Sequence, residues 1–263
     1  MSTEKANEGV KISKGDIIRL EFDGWIMESG ELFDTTNAEK AKEAGIFNEN
    51  LTYAPIPILL GSGRIFEGLE EAILDAEVGV EKEVVVPPEK AAGQRDPKLV
   101  EIHPIREFLK QNIEPKVGME ISMKNRVGTI ISVTTGRVRI DFNKRLAGKT
   151  LRYKFKVVSK IEDPEEKVKA ILEMDYGTSD GFKVSLEDKK ATIFLPDVCK
   201  YDQKWLISKY RIVSDLRDAL GFNTVQFVEE YIKKEEESKV EEKKGNEEKI
   251  EAVENPEKSE TSQ

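Results

Sequence analysis

Two stretches of strict alternation, far apart in the chain, constrain the fold more than any other feature of the sequence. In the first, Ile18, Leu20 and Phe22 alternate with Arg19, Glu21 and Asp23; in the second, Tyr153, Phe155 and Val157 alternate with Lys154 and Lys156. A period of two marks a strand with one face buried and the other wet. The second strand is expected to return to the sheet that the first one starts, so whatever lies between them is built around that sheet or inserted into it.

The segment between the two strands reads in order. Gly24 to Gly30 has the composition of a turn region, followed by Leu32-Phe33-Asp34-Thr35-Thr36. Asn37 to Ala44 is expected to be a short helix stopped by Gly45. Ile56 to Leu60 is an apolar strand, and Gly61-Ser62-Gly63 leads into a helix with Leu69, Ala72, Ile73 and Ala76 on one face, closed by Gly79. Val84-Val85-Val86 is expected as a buried strand ending at Pro87-Pro88. Between Gly93 and Leu146 the apolar residues fall in short, interrupted segments, and Val127–Val133 with Arg137–Phe142 predicts a hairpin across Thr135-Gly136. This block is compact enough to be a small inserted domain.

Beyond the second alternating strand, Asp163-Pro164 has the form of a helix start, with Asp163 as cap and proline in the first turn. Val168, Ile171 and Leu172 give that helix its apolar face. Phe182–Leu186 and Ala191–Leu195 suggest a hairpin, and two more helices are expected near Val198–Leu220 and Thr224–Lys233. The reading therefore divides the chain into a split first unit (1–96 and 144–162), an insert (97–143), a C-terminal α+β unit (163–234) and a tail (235–263).

Charge and composition narrow the function. The net charge of the 263-residue chain is −9, which argues against nucleic-acid binding, since phosphate affinity needs clustered Lys and Arg. From Glu235 onward the chain carries 11 acidic residues against 5 lysines, so the tail holds about two thirds of that charge. With so few apolar side chains it cannot offset its ordering entropy, and disorder is expected there. The lone Cys199 allows no intrachain disulfide and fits a reducing compartment. No apolar run approaches the ~20 residues needed to span a bilayer, so the sequence reading is cytoplasmic, with no membrane partner.

The search for covalent chemistry comes out empty. Gly61-Ser62-Gly63 lacks the Lys-Ser/Thr that would make it a phosphate loop and reads better as a tight strand-to-helix turn. His103 is the only histidine, which leaves no His-based triad elsewhere and no multi-histidine metal site; an ordinary loop histidine before Pro104 is the plainer reading. Cys199 has no evident base and reads as a small packing residue. Glu70-Glu71 and Glu81 to Glu83 read as solvated faces. No cofactor is called for. Prolyl isomerisation needs none of these groups, because it only rotates an amide across a resonance barrier of ~18–20 kcal/mol.

Several long motifs, in order, bear on that reaction. Gly30-Glu31-Leu32-Phe33-Asp34-Thr35-Thr36, then Leu60-Gly61-Ser62-Gly63-Arg64-Ile65-Phe66-Glu67-Gly68-Leu69-Glu70-Glu71-Ala72, Val78-Gly79, Val84 to Glu89 and Arg95-Asp96-Pro97 resemble the FKBP-type peptidyl-prolyl cis-trans isomerases. Gly136 to Asn143 and Leu146-Ala147-Gly148-Lys149 are similar to the exit from the insert in SlyD-like members, and the third unit resembles the long archaeal form. The resemblance covers Val10 to Ile161 in detail. It implies an α+β fold, an FKBP half-barrel of antiparallel strands around a short helix, with an inserted mostly-β (insert-in-flap) domain. It also implies a proline pocket lined by Phe22, Phe33, Asp34, Ile56, Ile65, Phe66, Leu69 and Tyr153, with the Phe66 N–H holding a substrate carbonyl and Asp34 as a polar wall or a buried structural carboxylate. Leu69 stands where single-domain relatives carry an indole. The insert would hold unfolded, proline-containing polypeptides on an exposed apolar surface, for which Ile102, Ile105, Phe108, Leu109 and Met123 are the candidates. A homodimer through the C-terminal unit is expected by the same analogy.

The sequence departs from the family pattern twice. Ala91-Ala92-Gly93 stands where Ala-Tyr-Gly is usual, which removes a substrate-facing hydroxyl and puts macrolide affinity and catalytic rate in doubt. Asn143-Lys144-Arg145 stands where Asn-His-Pro is usual at the hinge. There is no histidine-rich tail, so the nickel binding of some relatives is not implied. The alternative reading is a holdase or assembly module with a weak or decayed isomerase pocket.

Overall fold

A computed structural model describes residues 11–123 and 125–231. The expected disorder of the tail at 235–263 lies outside the described residues. Three sheets account for most of the architecture: one of five strands, one of four and one of three.

The five-stranded sheet is organised by the two alternating stretches. β1 (Ile17–Ile26) and β9 (Leu151–Ile161) pair antiparallel along their whole length, from Ile17↔Ile161 to Ile26↔Leu151, with a register shift between Arg19 and Leu20. β2 (Leu32–Thr35) pairs with the C-terminal half of β1, and β3 (Ile56–Leu59) with its N-terminal part. β4 (Glu81–Val86) closes the other edge against β9. The inner face of this sheet packs Ile18, Leu20, Ile58, Val86, Leu151, Tyr153, Phe155 and Val157 against Leu69 and Ile73 of α2 (Glu67–Leu74). Gly68 permits the close approach of α2 to β4, because a Cβ there would lie 2.6 Å from a Val86 methyl. The short helix α1 (Ala38–Glu43) is capped by Asn37, whose side chain accepts from the Glu39 and Lys40 N–H groups.

Four strands form the insert: β5 (Val100–Pro104), β6 (Glu120–Met123), β7 (Arg126–Val133) and β8 (Arg137–Asp141), in the order β5-β8-β7-β6, with the one-turn helix α3 (Ile105–Leu109). Phe108, Ile121, Ile130, Val138 and Ile140 form its own small core. The hinge to the first unit is tied by Asn143. Its side-chain carbonyl accepts from the Asp96 N–H at 2.8 Å, and its amide donates to the Asp96 carbonyl at 2.9 Å. Arg95 adds a two-pronged grip on Asp141.

The C-terminal unit comprises α4 (Pro164–Tyr176), β10 (Lys183–Glu187), β11 (Lys190–Phe194), α5 (Gln203–Asp218) and β12 (Thr224–Val228). Asp163 caps α4 as expected, accepting from the Glu166 N–H at 2.9 Å. Trp205 sits at the centre, with the rings of Tyr176, Phe182 and Phe227 each within 5.5 Å of it by centroid. Its core is not self-contained: Ile17 of β1 and Leu59 of β3 belong to the same buried cluster. They project from the outer face of the first sheet, so the C-terminal unit is packed onto the back of it.

Several local expectations are corrected. The turn expected at Gly24–Gly30 begins only after Ile26, because β1 continues while it still has β2 and β9 to pair with. Val84-Val85-Val86 is not uniformly buried: β4 lies at an edge, and Val85 faces solvent. α2 ends at Leu74, and Gly79 closes the following turn by donating to the Val157 carbonyl. The long helix expected from Val198 starts at Gln203, capped by Asp202, after a 3₁₀ turn over Asp197–Tyr201. The helix expected at Thr224–Lys233 is instead the strand β12, parallel to β11, because Val225 and Phe227 alternate with Thr224 and Gln226 at the period of a strand. His103 is in β5 rather than a loop, with its ring nitrogens 3.1 Å and 3.4 Å from carboxylate oxygens of Glu101 and Glu107. Glu70 is half-buried and accepts from the Gly61 N–H, so it is not a freely solvated side chain.

Candidate active site

The aromatic residues singled out in the sequence converge on the inner face of the first sheet. Phe22 and Tyr153 come from paired neighbours β1 and β9, with ring centroids 6.0 Å apart. Phe33 of β2 meets Tyr153 edge-on at 5.7 Å and 87°, the arrangement that ring quadrupoles favour. Gly24 lies between them, and a Cβ there would come within 2.7 Å of Phe33 and 3.0 Å of Tyr153. The absence of a side chain is therefore what lets the two rings close over the strand. Leu69, 2% exposed, and Tyr153, 4% exposed, are buried in the same core. Ile56, Ile65 and Phe66 are partly buried against the same core and stand at the margin.

The residues before α2 complete the wall. Phe66 is the N-cap residue of α2, and no side chain caps that end. The Phe66 carbonyl accepts from the Leu69 and Glu70 N–H groups, whereas the Phe66 N–H has no acceptor among the described residues. An uncapped helix start concentrates unsatisfied N–H groups and partial positive charge beside the pocket, which suits it to receive a peptide carbonyl.

Two titratable groups face the aromatic cluster. Partial burial pushes the Asp34 carboxyl above the usual carboxylate range, while the Thr35 N–H, donating at 2.9 Å, pulls it back. The residue keeps one side open to solvent. The buried carboxylate beside it is that of Asp23, 7% exposed. It accepts from Thr35 Oγ1 and Lys40 Nζ at 2.5 Å each. Burial, and then the Asp34 charge, push the Tyr153 phenol well above its ordinary value, so it remains a neutral hydroxyl.

Seven of the eight residues named from the sequence for the pocket pack on one core, and Asp34 stands exposed at its edge. The five named for the insert divide. Ile102 is 57% and Leu109 54% exposed. Ile105 and Met123 are partly buried. Phe108 is 3% exposed and belongs to the core of the insert, so it offers no surface to a client. Its position on the inner side of a one-turn helix could not be told from a five-residue pattern. Exposed Val117 and Val127 in the same unit were not singled out. Cys199 is buried as expected, and burial raises its thiol pKa.

Comparison with known proteins decides the family. Over 147 residues, 56% of this chain and 92% of the relative, the chain is 41% identical to the short-type peptidyl-prolyl cis-trans isomerase of Methanocaldococcus jannaschii. It belongs to the FKBP-type peptidyl-prolyl cis-trans isomerase family. The FKBP-type model matches residues 8–109, a model described as FKBP26, IF domain, matches residues 101–146, and one described as FKBP26_C-terminal matches residues 164–232. The FKBP-type isomerase SlyD of Helicobacter pylori is 32% identical over 130 residues, 48% of this chain and 69% of the relative. SlyD of Escherichia coli is 32% identical over 133 residues, 49% of this chain and 67% of the relative. The enzyme class of this FKBP-type chain is accordingly prolyl isomerase. Among the described residues no helix is long and apolar enough to cross a membrane.

Proposed function

We propose that the chain accelerates cis/trans exchange of Xaa-Pro bonds in folding polypeptides, and that the cluster of Phe22, Phe33 and Tyr153 over Leu69, beside the free Phe66 N–H, is where it does so. The planar amide owes its barrier to charge separation between nitrogen and carbonyl oxygen. An apolar, ring-lined site removes water from that carbonyl and so disfavours the planar form relative to the twisted one. Only such differential binding raises the rate. Asp34 supplies a polar edge without entering the reaction as acid or base. The Phe66 N–H holds the carbonyl of the flanking peptide and fixes the register of the proline.

In this reading the catalytic unit comprises residues 1–96 and 144–162, the insert 97–143 and the C-terminal unit 163–234. The exposed apolar side chains of the insert support a client-capturing role: Ile102, Leu109, Val117 and Val127 are each more than half exposed. Unfolded chains offer the apolar side chains such a surface takes up. Tethering a client beside the pocket raises the effective concentration of its prolines. Self-association is assigned to the C-terminal unit, where Leu206, Ile207 and Tyr210 stand exposed on α5. Their neighbour Trp205 is fully buried in the unit's own core.

The test is a comparison of two substrates. Uncatalysed exchange takes tens to hundreds of seconds, so acceleration of a Xaa-Pro tetrapeptide and of a proline-limited refolding protein are both readily measured. Replacing 97–143 by a short loop should spare the tetrapeptide and sharply reduce catalysis on the refolding protein. No acceleration of either substrate by the intact chain would refute the isomerase reading and favour the holdase, for which Ala92 and Leu69 are the supporting residues. Equal loss on both substrates would refute the separate roles of pocket and insert.

A further inference from the structure

The segment joining β3 to α2 carries Ile65 and Phe66 to the proposed site; its start is held by the buried Leu60, bonded through its backbone to Gly15 and Asp16, and its end by Ile65 and Phe66 packed on the core. It contains Gly61 at φ 85° and Gly63 at φ 68°, two left-handed positions that loosen a chain. Its side-chain hydrogen bonds within the first unit are those of Ser62 Oγ, which donates to the Leu59 carbonyl at 2.7 Å, and of the Glu70 carboxylate, which accepts from the Gly61 N–H. Both ties lie at its start. At its end, immediately before Ile65, stands Arg64, whose guanidinium reaches out of the unit altogether. It donates to Asp175 Oδ1 of α4 at 2.9 Å and to Asp215 of α5. Arg211 Nε adds a looser contact to Asp175 at 3.6 Å.

This cluster is poorly explained as a source of stability. The Asp175 side chain is 1% exposed and that of Arg64 12%, and burying charges costs several kcal/mol before their attraction is counted. Arg64 Nε and Asp175 Oδ2 are buried with no partner among the described residues, so the network is only half satisfied. Burial drives the Asp175 carboxyl upward even with Arg64 beside it. The neighbouring contact between the two units combines the buried Ile17 and Leu59 with a second ion pair, Arg19 to Glu173 at 2.8 Å, so the units are joined there without Arg64. Arg64 sets one nitrogen, Nη2, against both carboxylates, which fixes the direction of the side chain in a way an aliphatic group would not.

We propose that Arg64 is a positioning residue for isomerisation, through which α4 and α5 of the C-terminal unit fix the Ile65-Phe66 wall of the pocket. The inference rests on the pocket assignment made above. Its consequence is that the C-terminal unit, which adds no group to the site, sets how well the Phe66 N–H is aimed. Displacements of ~1 Å in a site can cost up to about 100-fold in rate, and loosening one end of a short segment should cost less.

The test uses the full chain with Asp175→Asn and Asp215→Asn, which keep shape while weakening the clamp, together with Arg64→Lys and Arg64→Met. The kcat and KM are measured on a Xaa-Pro tetrapeptide, alongside amide hydrogen exchange. The expectation is a fall in kcat of about tenfold for Asp175→Asn with KM changed less than about twofold. Arg64→Lys should fall between the native chain and Arg64→Met, and exchange should rise at residues 61–66 alone. Native kcat in all four variants overturns the proposal, and so does a loss accompanied by faster exchange throughout β1, β9 and α2, which would make Arg64 merely structural. If the native chain itself shows no isomerase activity, the pocket assignment fails and this inference fails with it. Activity in the native chain that survives unchanged in the variants sinks the inference alone.

Discussion

Gly24→Ala is the smallest change that should reach the site. Gly24 lies in β1 with no positive φ, so alanine meets no backbone penalty and the effect is purely one of side-chain space. The new Cβ would lie 2.7 Å from Phe33 Cζ and 3.0 Å from Tyr153 Cε1. Carbon atoms rest at about 3.5–4.0 Å, so the edge of Phe33 must retreat by about 1 Å, with a smaller shift of Tyr153. Tyr153 is buried in the core and can give little, so most of the movement falls on the partly buried Phe33. Overpacking of this kind costs about 1–3 kcal/mol of stability, and a 1 Å displacement in a site can cost on the order of 100-fold in rate. The assay is tetrapeptide turnover beside urea unfolding. Phe33→Leu in the Gly24→Ala background should restore stability but not turnover, since it makes room for the methyl without returning the ring. Native turnover in Gly24→Ala would refute the assignment of Phe33 and Tyr153 to the pocket.

Three further outcomes are expected. Phe108→Ala should destabilise the insert by about 3–5 kcal/mol, read by unfolding, whereas Ile102→Ser and Leu109→Ser should leave stability nearly unchanged and weaken capture of an unfolded client; equal loss of capture without unfolding in all three would contradict the burial of Phe108. Asp34→Asn should become stabilising relative to the native chain as pH rises. The folded carboxyl titrates above its unfolded value of 3.8, so its favourable contribution is present below 3.8 and is lost as pH passes the raised folded value. Solvent on its open side keeps the effect modest, and a stability difference independent of pH would rule it out. Ile207→Lys with Tyr210→Lys should yield a monomer by sedimentation without loss of fold, because both side chains already face solvent; an unchanged oligomeric state would remove α5 from the interface.

The catalytic half of the fold could be read because its signals are local and redundant. Ile18, Leu20 and Phe22 declare a strand by themselves, Asn37 and Gly45 bracket α1, and Asp163-Pro164 starts α4 where expected. The failures have physical causes. The strand β12 escapes a sequence reading because a five-residue alternation following a long helix is weak, and its pairing with β11, more than thirty residues back, is invisible to local pattern. The burial of Phe108 is equally hidden, because a single helical turn does not reveal which side is inward. The shared burial of Ile17 and Leu59 was also hidden, since contact between units leaves no periodic trace. Gly24 had a signal that went unused: a glycine continuing an alternating strand marks a place where another group comes close. Arg64 lay within a recognised motif, but its partners are more than a hundred residues away and could be identified only in three dimensions.

Ile17 and Ile18 are adjacent, both without exposed surface, and they belong to different cores. One strand therefore has two dry faces at that point, and the two additions to the catalytic fold differ in how portable they are. The insert brings its whole interior with it and enters through a hinge tied by Asn143 and Arg95, so it can be exchanged for another insert, or for a turn, without rewriting the host. The C-terminal unit cannot be detached so cleanly. Its removal would leave Ile17 and Leu59 in water, at roughly 1.5–3 kcal/mol for each side chain. A host that never had the unit would need polar residues at both positions.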